Sequence, residues 1–151
     1  MSSLINLSFK EGIFPDLLKV AQIIPIHKKG STLICGNYRP ISLLSVFSKL
    51  FEKAMYSRLY SFLSHYKLIN LKQFGFRSKH STEHALVSLI ETVKKFLDDD
   101  KFVCGIFIDL QKAFDTVNHE ILLEKLSFYG IRGIENSWFH SFLSQRKQYL
   151  S

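Results

Sequence analysis

Apolar residues change their period several times along the chain, and each period predicts an element. From Ser42 to Leu63, the residues Leu44, Phe47, Phe51, Ala54, Met55, Leu59, Phe62 and Leu63 recur at helical spacing, with Ser45, Lys49, Glu52, Lys53, Ser57 and Ser61 opposite. A second long helix is predicted after Ser81-Thr82-Glu83, an N-cap followed by a first-turn acid; its buried stripe would be Leu86, Leu89, Ile90, Val93 and Leu97, and Asp98-Asp99-Asp100 ends it. Shorter helices follow from the same logic. Ser3 can cap one carrying Leu4, Ile5 and Phe9, which Gly12 stops. Asn118 can cap another carrying Leu122, Leu123, Leu126 and Tyr129, which Gly130 closes. Residues Ile134 to Leu143 form one more amphipathic segment.

Two segments read as strands. Lys19 to Ile26 mixes apolar and polar residues, but Pro25 cannot donate a ladder hydrogen bond, which predicts an edge position. His27-Lys28-Lys29-Gly30-Ser31-Thr32 then forms a basic turn, and the loop continues through Gly36, Asn37 and Tyr38 to Arg39-Pro40. Phe102 to Ile108 is a continuous apolar run of strand length, the pattern of a strand covered on both faces, and it ends abruptly at Asp109. The fold class expected is therefore α/β (α+β) and helix-rich, without repeats or low-complexity tracts.

Composition narrows this only slightly. A length of 151 residues gives room for one domain, and 46% hydrophobic content permits a sizeable core, so disorder is not expected. Twenty Lys and Arg against 13 Asp and Glu give +7, which favours polyanions such as nucleic acid or an acidic membrane. The two cysteines, Cys35 and Cys104, lack zinc spacing; Cys104 sits inside the apolar run and reads as a small buried hydrophobe in a reducing compartment. No stretch approaches the ~20 apolar residues that span a bilayer, and Met1-Ser2-Ser3 does not open a signal peptide. An intracellular protein of nucleus or cytoplasm, away from membranes, is expected. The sequence has no GxxxxGK[ST] loop, GxGxxG, GxSxG elbow or HExxH, so the chemistries those motifs serve lack their apparatus.

The candidate chemistry begins at Asp109. A carboxylate at the C-terminal end of a buried strand is costly to desolvate, and a divalent cation is one partner that offsets the cost. The alternative is a solvated aspartate, or one that caps the next turn. His80 and His84, at i and i+4, could bind a metal on a helix, but with no third ligand in sight a capping or surface role fits better.

The wider context bears on that choice. Phe107-Ile108-Asp109-Leu110-Gln111-Lys112-Ala113-Phe114-Asp115-Thr116-Val117-Asn118-His119 resembles the first palm motif of reverse transcriptases of non-LTR retrotransposons, in particular the jockey-like and related LINE-type enzymes. Gly12-Ile13-Phe14-Pro15 through Ile24-Pro25-Ile26-His27-Lys28-Lys29-Gly30 is similar to the family's opening fingers segment, and Asn37-Tyr38-Arg39-Pro40-Ile41-Ser42 to the next fingers motif. Gln73-Phe74-Gly75-Phe76-Arg77 with Ser81-Thr82 is similar to the segment beside the template. Gln145-Arg146-Lys147-Gln148-Tyr149 resembles the stretch before the second palm motif.

The resemblance implies a partial right-hand polymerase, with fingers over residues 1–80 and the start of the palm with its supporting helices over 81–151. It implies RNA-directed DNA synthesis with Mg²⁺ as cofactor and with dNTP, an RNA template and a DNA primer as partners. Asp109 would be the first catalytic aspartate, binding both Mg²⁺ ions, with the backbone carbonyl of Leu110 as a further ligand. Phe114 matches the residue under the incoming sugar, where a ring would clash with a 2′-hydroxyl; read without the family it is a core Phe. Arg39 and Lys28 or Lys29 fit fingers positions that grip the triphosphate, the alternative being a solvated basic loop. Gln73, Arg77 and Lys79 would contact the template backbone, or else form an exposed polar connector. Asp115 is taken as structural.

The family's Pro-Gln-Gly motif and Tyr-x-Asp-Asp hairpin do not occur in the sequence, and the resemblance would put them past Ser151. One carboxylate cannot hold two divalent ions in the catalytic arrangement, so these 151 residues alone are expected not to polymerise. The Phe102 to Ile108 strand would lack the hairpin strands and expose an apolar edge. Two other classes compete: a non-catalytic RNA-binding remnant of a retroelement, and an inert structural fragment.

Overall fold

Gly12 does more than stop the first helix. In the computed structural model, which describes residues 2–150, helix α1 runs Ser2–Glu11 and Gly12 follows with φ 69°. The Ile13 N–H reaches back to Ser8 O at 3.1 Å, the Schellman closure that a left-handed glycine permits. A Cβ on Gly12 would lie 2.9 Å from the carbonyl oxygen of Ile134, so the close approach of a distant helix start also requires glycine here. Ser3, expected as the cap, lies inside α1 instead.

The remaining elements are β1 (Val20–His27), β2 (Tyr38–Leu43), α2 (Val46–His65), α3 (Thr82–Asp98), α4 (His119–Phe128), α5 (Ile134–Leu143) and β3 (Lys147–Leu150), with single 3-10 turns at Asp16–Leu18 and Cys35–Asn37. The class is mixed α/β with more helix than strand. Among the described residues, no helix is long and apolar enough to cross a membrane. The chain divides into two compact units where its length suggested one: the first holds the residues up to Tyr60 and those from Val117 onward, the second Ser61–Thr116.

The first unit contains the sheet, in the order β2-β1-β3. β1 pairs antiparallel with β2, Gln22 opposite Leu43 through His27 opposite Tyr38, and parallel with β3, Val20 opposite Lys147 through Ile23 opposite Leu150. β1 is thus central, which corrects the edge position inferred from Pro25. Pro25 faces Pro40 across the β1·β2 pair. The Lys28 N–H donates to Asn37 O at 2.8 Å, which fixes the alternation and makes Pro25 and Pro40 a non-hydrogen-bonded pair. Neither proline removes a bond from that ladder, and the pairing with β3 has ended at Ile23 before Pro25 is reached. The edge argument holds for the second half of the strand, Ile24 to His27, and fails for its first half, Val20 to Ile23.

The core of this unit is aromatic. Phe14, Phe51, Met55 and Trp138 are buried, with Ile5, Phe9, Leu18, Phe139 and Phe142 packed around them. Phe14 and Trp138 are the most enclosed, at 0% and 1% exposed. The Phe14 ring meets Trp138 at 5.5 Å, Phe142 at 5.1 Å and Phe51 at 5.9 Å, all edge to face, the geometry that the ring quadrupoles favour. The indole N–H of Trp138 donates to Ser8 Oγ at 3.0 Å, and the Ser8 hydroxyl donates onward to the Ile13 carbonyl. The Phe14 N–H donates to Ser141 Oγ at 3.0 Å. Every buried polar group at this junction of α1 and α5 therefore has a partner.

α2 begins four residues later than its apolar pattern suggested. Ser45 Oγ accepts from the Ser48 N–H at 3.1 Å, so Ser45 serves as the cap and not as a residue of the polar face. Within the helix Phe51 and Met55 are buried as expected, while Phe47 is exposed. α4 is capped by Asn118, whose side chain accepts from Glu120 and Ile121, and Gly130 at φ 98° closes it while the Ile131 N–H reaches Leu126 O at 2.9 Å. Asn136 Nδ2 donates to the carbonyls of Leu123 and Ile131, tying α5 to α4.

In the second unit α3 starts where expected, with Ser81 Oγ accepting from the His84 N–H at 3.3 Å. Its stripe is not buried. No residue of α3 is fully buried, and Leu86, Leu89, Ile90 and Leu97 are exposed, because the unit contains no second long helix or sheet face to cover them. The run Phe102 to Ile108 forms no strand, and Phe107 is 87% exposed. A single extended segment gains no ladder bonds without a partner strand, and none lies beside it among the described residues. Cys104, expected to be buried, is exposed for the same reason.

Burial at Trp138 and exposure at Phe107 give opposite expectations. Trp138→Ala should lower the urea unfolding free energy by roughly 3–5 kcal/mol, whereas Phe107→Ala should change it by less than about 0.5 kcal/mol. Equal effects of the two substitutions on the urea midpoint would contradict the core assigned here.

Candidate functional site

The first unit carries the basic candidates on the β1·β2 hairpin. Its loop is built by its own hydrogen bonds: Asn37 Nδ2 donates to Ser31 O at 2.8 Å, Tyr38 Oη to Thr32 O at 2.9 Å, and a His27 ring nitrogen lies 3.1 Å from Gly30 O. Gly30 stands at φ 84°, and a Cβ there would meet Asn37 Nδ2 at 2.8 Å. The loop thus has a defined shape around exposed Lys28 and Lys29. Arg39 lies on β2 opposite Ile26 and is exposed. Since the Lys28 N–H continues the register onto Asn37, Arg39 is two residues along from the partner of Lys28, and side chains two apart share a face. Lys28 and Arg39 are therefore diagonal neighbours on one face, and Lys29 belongs to the turn.

The other candidates lie in the second unit. Asp109 and Leu110 are exposed and follow the unpaired apolar run, so the strand-end burial expected to make the carboxylate costly does not occur in this chain. The chain then enters a helical turn in which Lys112, at φ 52°, accepts from the N–H groups of Asp115 and Thr116. Asp115 sits in that turn. Phe114 is exposed rather than in a core, and its ring meets Phe76 edge on at 6.0 Å.

The connector before α3 is organised by Arg77. Its Nη1 donates to Asn70 O and Gln73 O, both at 3.2 Å, while its buried Nε has no partner. Gln73 Nε2 donates to Gly75 O at 3.1 Å. These side chains are committed to the loop's own carbonyls, and Lys79 is exposed with φ 61°. His80 and His84 have ring centroids 6.4 Å apart. His80 Nδ1 lies 3.0 Å from Ser78 O and His84 Nδ1 3.3 Å from Ser81 Oγ, so both rings serve the start of α3.

Among the described residues, no three His, Cys, Asp or Glu side chains converge where a metal ion could sit. Asp109 and the Leu110 carbonyl offer one carboxylate and one carbonyl, on an exposed segment with no converging set of acidic side chains beside them. By themselves these residues do not fit a resident metal. Sequence reasoning passed over Trp138, Ser8 and Lys19. For Trp138 the signal was present, as the one tryptophan in an amphipathic segment; for Lys19 there was none.

Residues 26–151 match the family described as reverse transcriptase (RNA-dependent DNA polymerase). The chain is 36% identical over 133 residues to the "Probable RNA-directed DNA polymerase from transposon BS" of Drosophila melanogaster, covering 83% of this chain and 15% of that protein. It is 38% identical over 115 residues to the "RNA-directed DNA polymerase from mobile element jockey" of the same organism, covering 76% of this chain and 13% of that protein. With the "Retrovirus-related Pol polyprotein from type-1 retrotransposable element R1" of Bradysia coprophila the identity is 33% over 118 residues, 77% of this chain and 12% of that protein. The chain thus spans only about 12–15% of the length of these curated relatives. With the match running from the end of β1 through the basic loop, β2 and the Asp109 segment, the chain belongs to the reverse transcriptase family, in the company of the jockey-like non-LTR retrotransposons.

Proposed function

We propose that this stretch is the fingers and early palm of an RNA-directed DNA polymerase, with fingers over residues 1–80 and palm from residue 81. The observation that carries the proposal is the family match over residues 26–151, which includes both the basic hairpin and the Asp109 segment. The reaction is nucleotidyl transfer from dNTP to a DNA primer on an RNA template; Asp109 and the Leu110 carbonyl, joined by acidic ligands from outside these residues, would hold divalent metal ions, which would supply neutralisation of the developing charge.

Each candidate residue then has a task. Asp109 contributes one carboxylate, and Leu110 its carbonyl, to a site that needs further acidic ligands. Arg39 and Lys28, diagonal on one hairpin face, bind the triphosphate; Arg39 gives planar paired contacts and Lys28 a point charge. Phe114 lies beneath the incoming sugar and disfavours a 2′-hydroxyl. Gln73, Arg77 and Lys79 border the template, with Arg77 acting mainly by shaping the connector through its bonds to Asn70 and Gln73.

The test is a chimera in which this stretch replaces its counterpart in the jockey polymerase. Asp109→Asn should cut dNTP incorporation by roughly a hundredfold or more, while Asp115→Asn should leave most of it. Full incorporation by the Asp109→Asn chimera would contradict the assignment.

A second reading is favoured by the exposed, unpaired segment around Asp109 and by the charge of +7. A polypeptide limited to these 151 residues acts as a nucleic-acid-binding module without catalysis. It should bind single-stranded RNA with an affinity that falls as salt rises, log K dropping by about 0.7 per log unit of salt for each phosphate contacted, and should incorporate no dNTP. Filter binding across salt, with an incorporation assay on the same preparation, measures both. Incorporation by the 151 residues, or affinity indifferent to salt, would exclude this second reading.

A further inference from the structure

A second basic site lies in the first unit, away from the hairpin loop that the family resemblance pointed to. A cavity of about 710 Å³ is lined by Asp16, Leu17, Lys19, Val20, Gln145, Arg146 and Lys147. Three cations and one carboxylate give it a positive excess, although its cations come from segments more than 120 residues apart in sequence. What joins them is the start of the β1·β3 pairing, where the Lys147 N–H donates to Lys19 O at 3.1 Å.

The cations are held in different ways. Lys19 is 4% exposed, an uncommon environment for an ammonium. Its ion-pair partner, Asp16, stands at 2.8 Å with its own carboxylate largely in water. The lysine stem is thus fixed by packing, while its counter-ion is free to be shared or displaced. Arg146 is fixed from three sides: its guanidinium lies 4.6 Å over the Phe142 ring, Nη1 donates to Phe142 O at 3.0 Å, and Nη2 is 3.8 Å from Glu52. Lys147 is exposed and makes no ion pair among the described residues.

The backbone around them is strained. Gln145 holds φ 55°, a left-handed conformation that a side chain disfavours, at the turn that delivers Arg146 and Lys147 to the cavity. A glycine would hold that turn more readily, yet a glutamine with an amide donor stands there. Two held cations, one exposed cation and an amide around a cleft of this size match the demands of a phosphodiester, which needs charge and several donors.

We infer that this cavity is a subsite for a backbone phosphate of a bound nucleic acid, with Lys147 and Arg146 making the contact and Lys19 supplying buried positive potential. The inference rests on the nucleic-acid-binding reading above and adds a surface to it. Asp16, whose carboxylate stands in water 2.8 Å from the Lys19 ammonium, offsets part of that potential.

The test uses the whole chain, a short oligouridylate and inorganic phosphate. Lys147→Gln should weaken oligouridylate binding several-fold and reduce the slope of log K against log salt by about 0.7. Lys147→Arg should retain binding, and Lys53→Gln, on the exposed side of α2, should change it far less. Bound oligouridylate should also shield Lys147 of the unaltered chain from acetylation, a readout that does not depend on any variant folding. Equal effects of Lys147→Gln and Lys53→Gln, or no shielding of Lys147, would overturn the subsite while leaving nucleic-acid binding itself intact. Inorganic phosphate binding as tightly as the oligonucleotide would make the cavity a free-anion site and overturn the backbone assignment. No oligouridylate binding by the unaltered chain would remove both the subsite and the reading beneath it.

Discussion

The contact between Phe14 and Trp138, two rings more than 120 residues apart, is the constraint on which the first unit depends. Their edge-to-face packing at 5.5 Å, with the indole N–H satisfied by Ser8, locks α1 against α5. A buried tryptophan contributes large apolar area, and a satisfied N–H lets it contribute without a desolvation cost. Gly12 makes the approach sterically possible, since a side chain there would strike the Ile134 carbonyl. Once α5 is held in this way, the turn after it delivers β3 to the first half of β1, and the sheet closes around a central strand that contains a proline.

The same closure places the two basic surfaces of this unit. The hairpin β1·β2 presents Lys28 and Arg39 on one face at its far end, and the β1·β3 start gathers Lys19, Arg146 and Lys147 at the other. Basic side chains thus gather at both ends of one strand. In the second unit the order is more local: capped α3, the Arg77-bound connector and the Lys112 to Thr116 turn are each held by short-range hydrogen bonds. Its apolar stripe and its extended run have no surface to meet.

Local chemistry was legible in the sequence, and non-local pairing was not. Ser81, Asn118, Gly12 and Gly130 mark helix ends because caps and left-handed stops act within a few residues, and α5 occupies the segment that its apolar spacing suggested. Pro25 misled because its penalty depends on which strand lies on which side, and that is set by β3 from the other end of the chain. The Leu86 to Leu97 stripe and the Phe102 to Ile108 run carried correct statements of what those residues would bury, but burial needs a partner, and periodicity does not say whether one is present. Of the candidate site, the family motifs alone pointed to Asp109 and Arg39, and the fold adds only that one lies in the second unit and the other in the first; the Lys19 cavity had no sequence signal, since its residues are adjacent only after folding.

The hydrophobic junction of α1 with α5 organises the first unit, while the segment leading to Asp109 in the second is unpaired. Amide hydrogen exchange on the monomeric 151-residue chain tests both halves at once. Slow exchange is expected at Ala21 to Ile24 and through α5, with unprotected amides from Phe102 to Asp109. Protection across Phe102 to Asp109 comparable to that of β1 would contradict this arrangement, because the segment would then have found a strand partner within this chain.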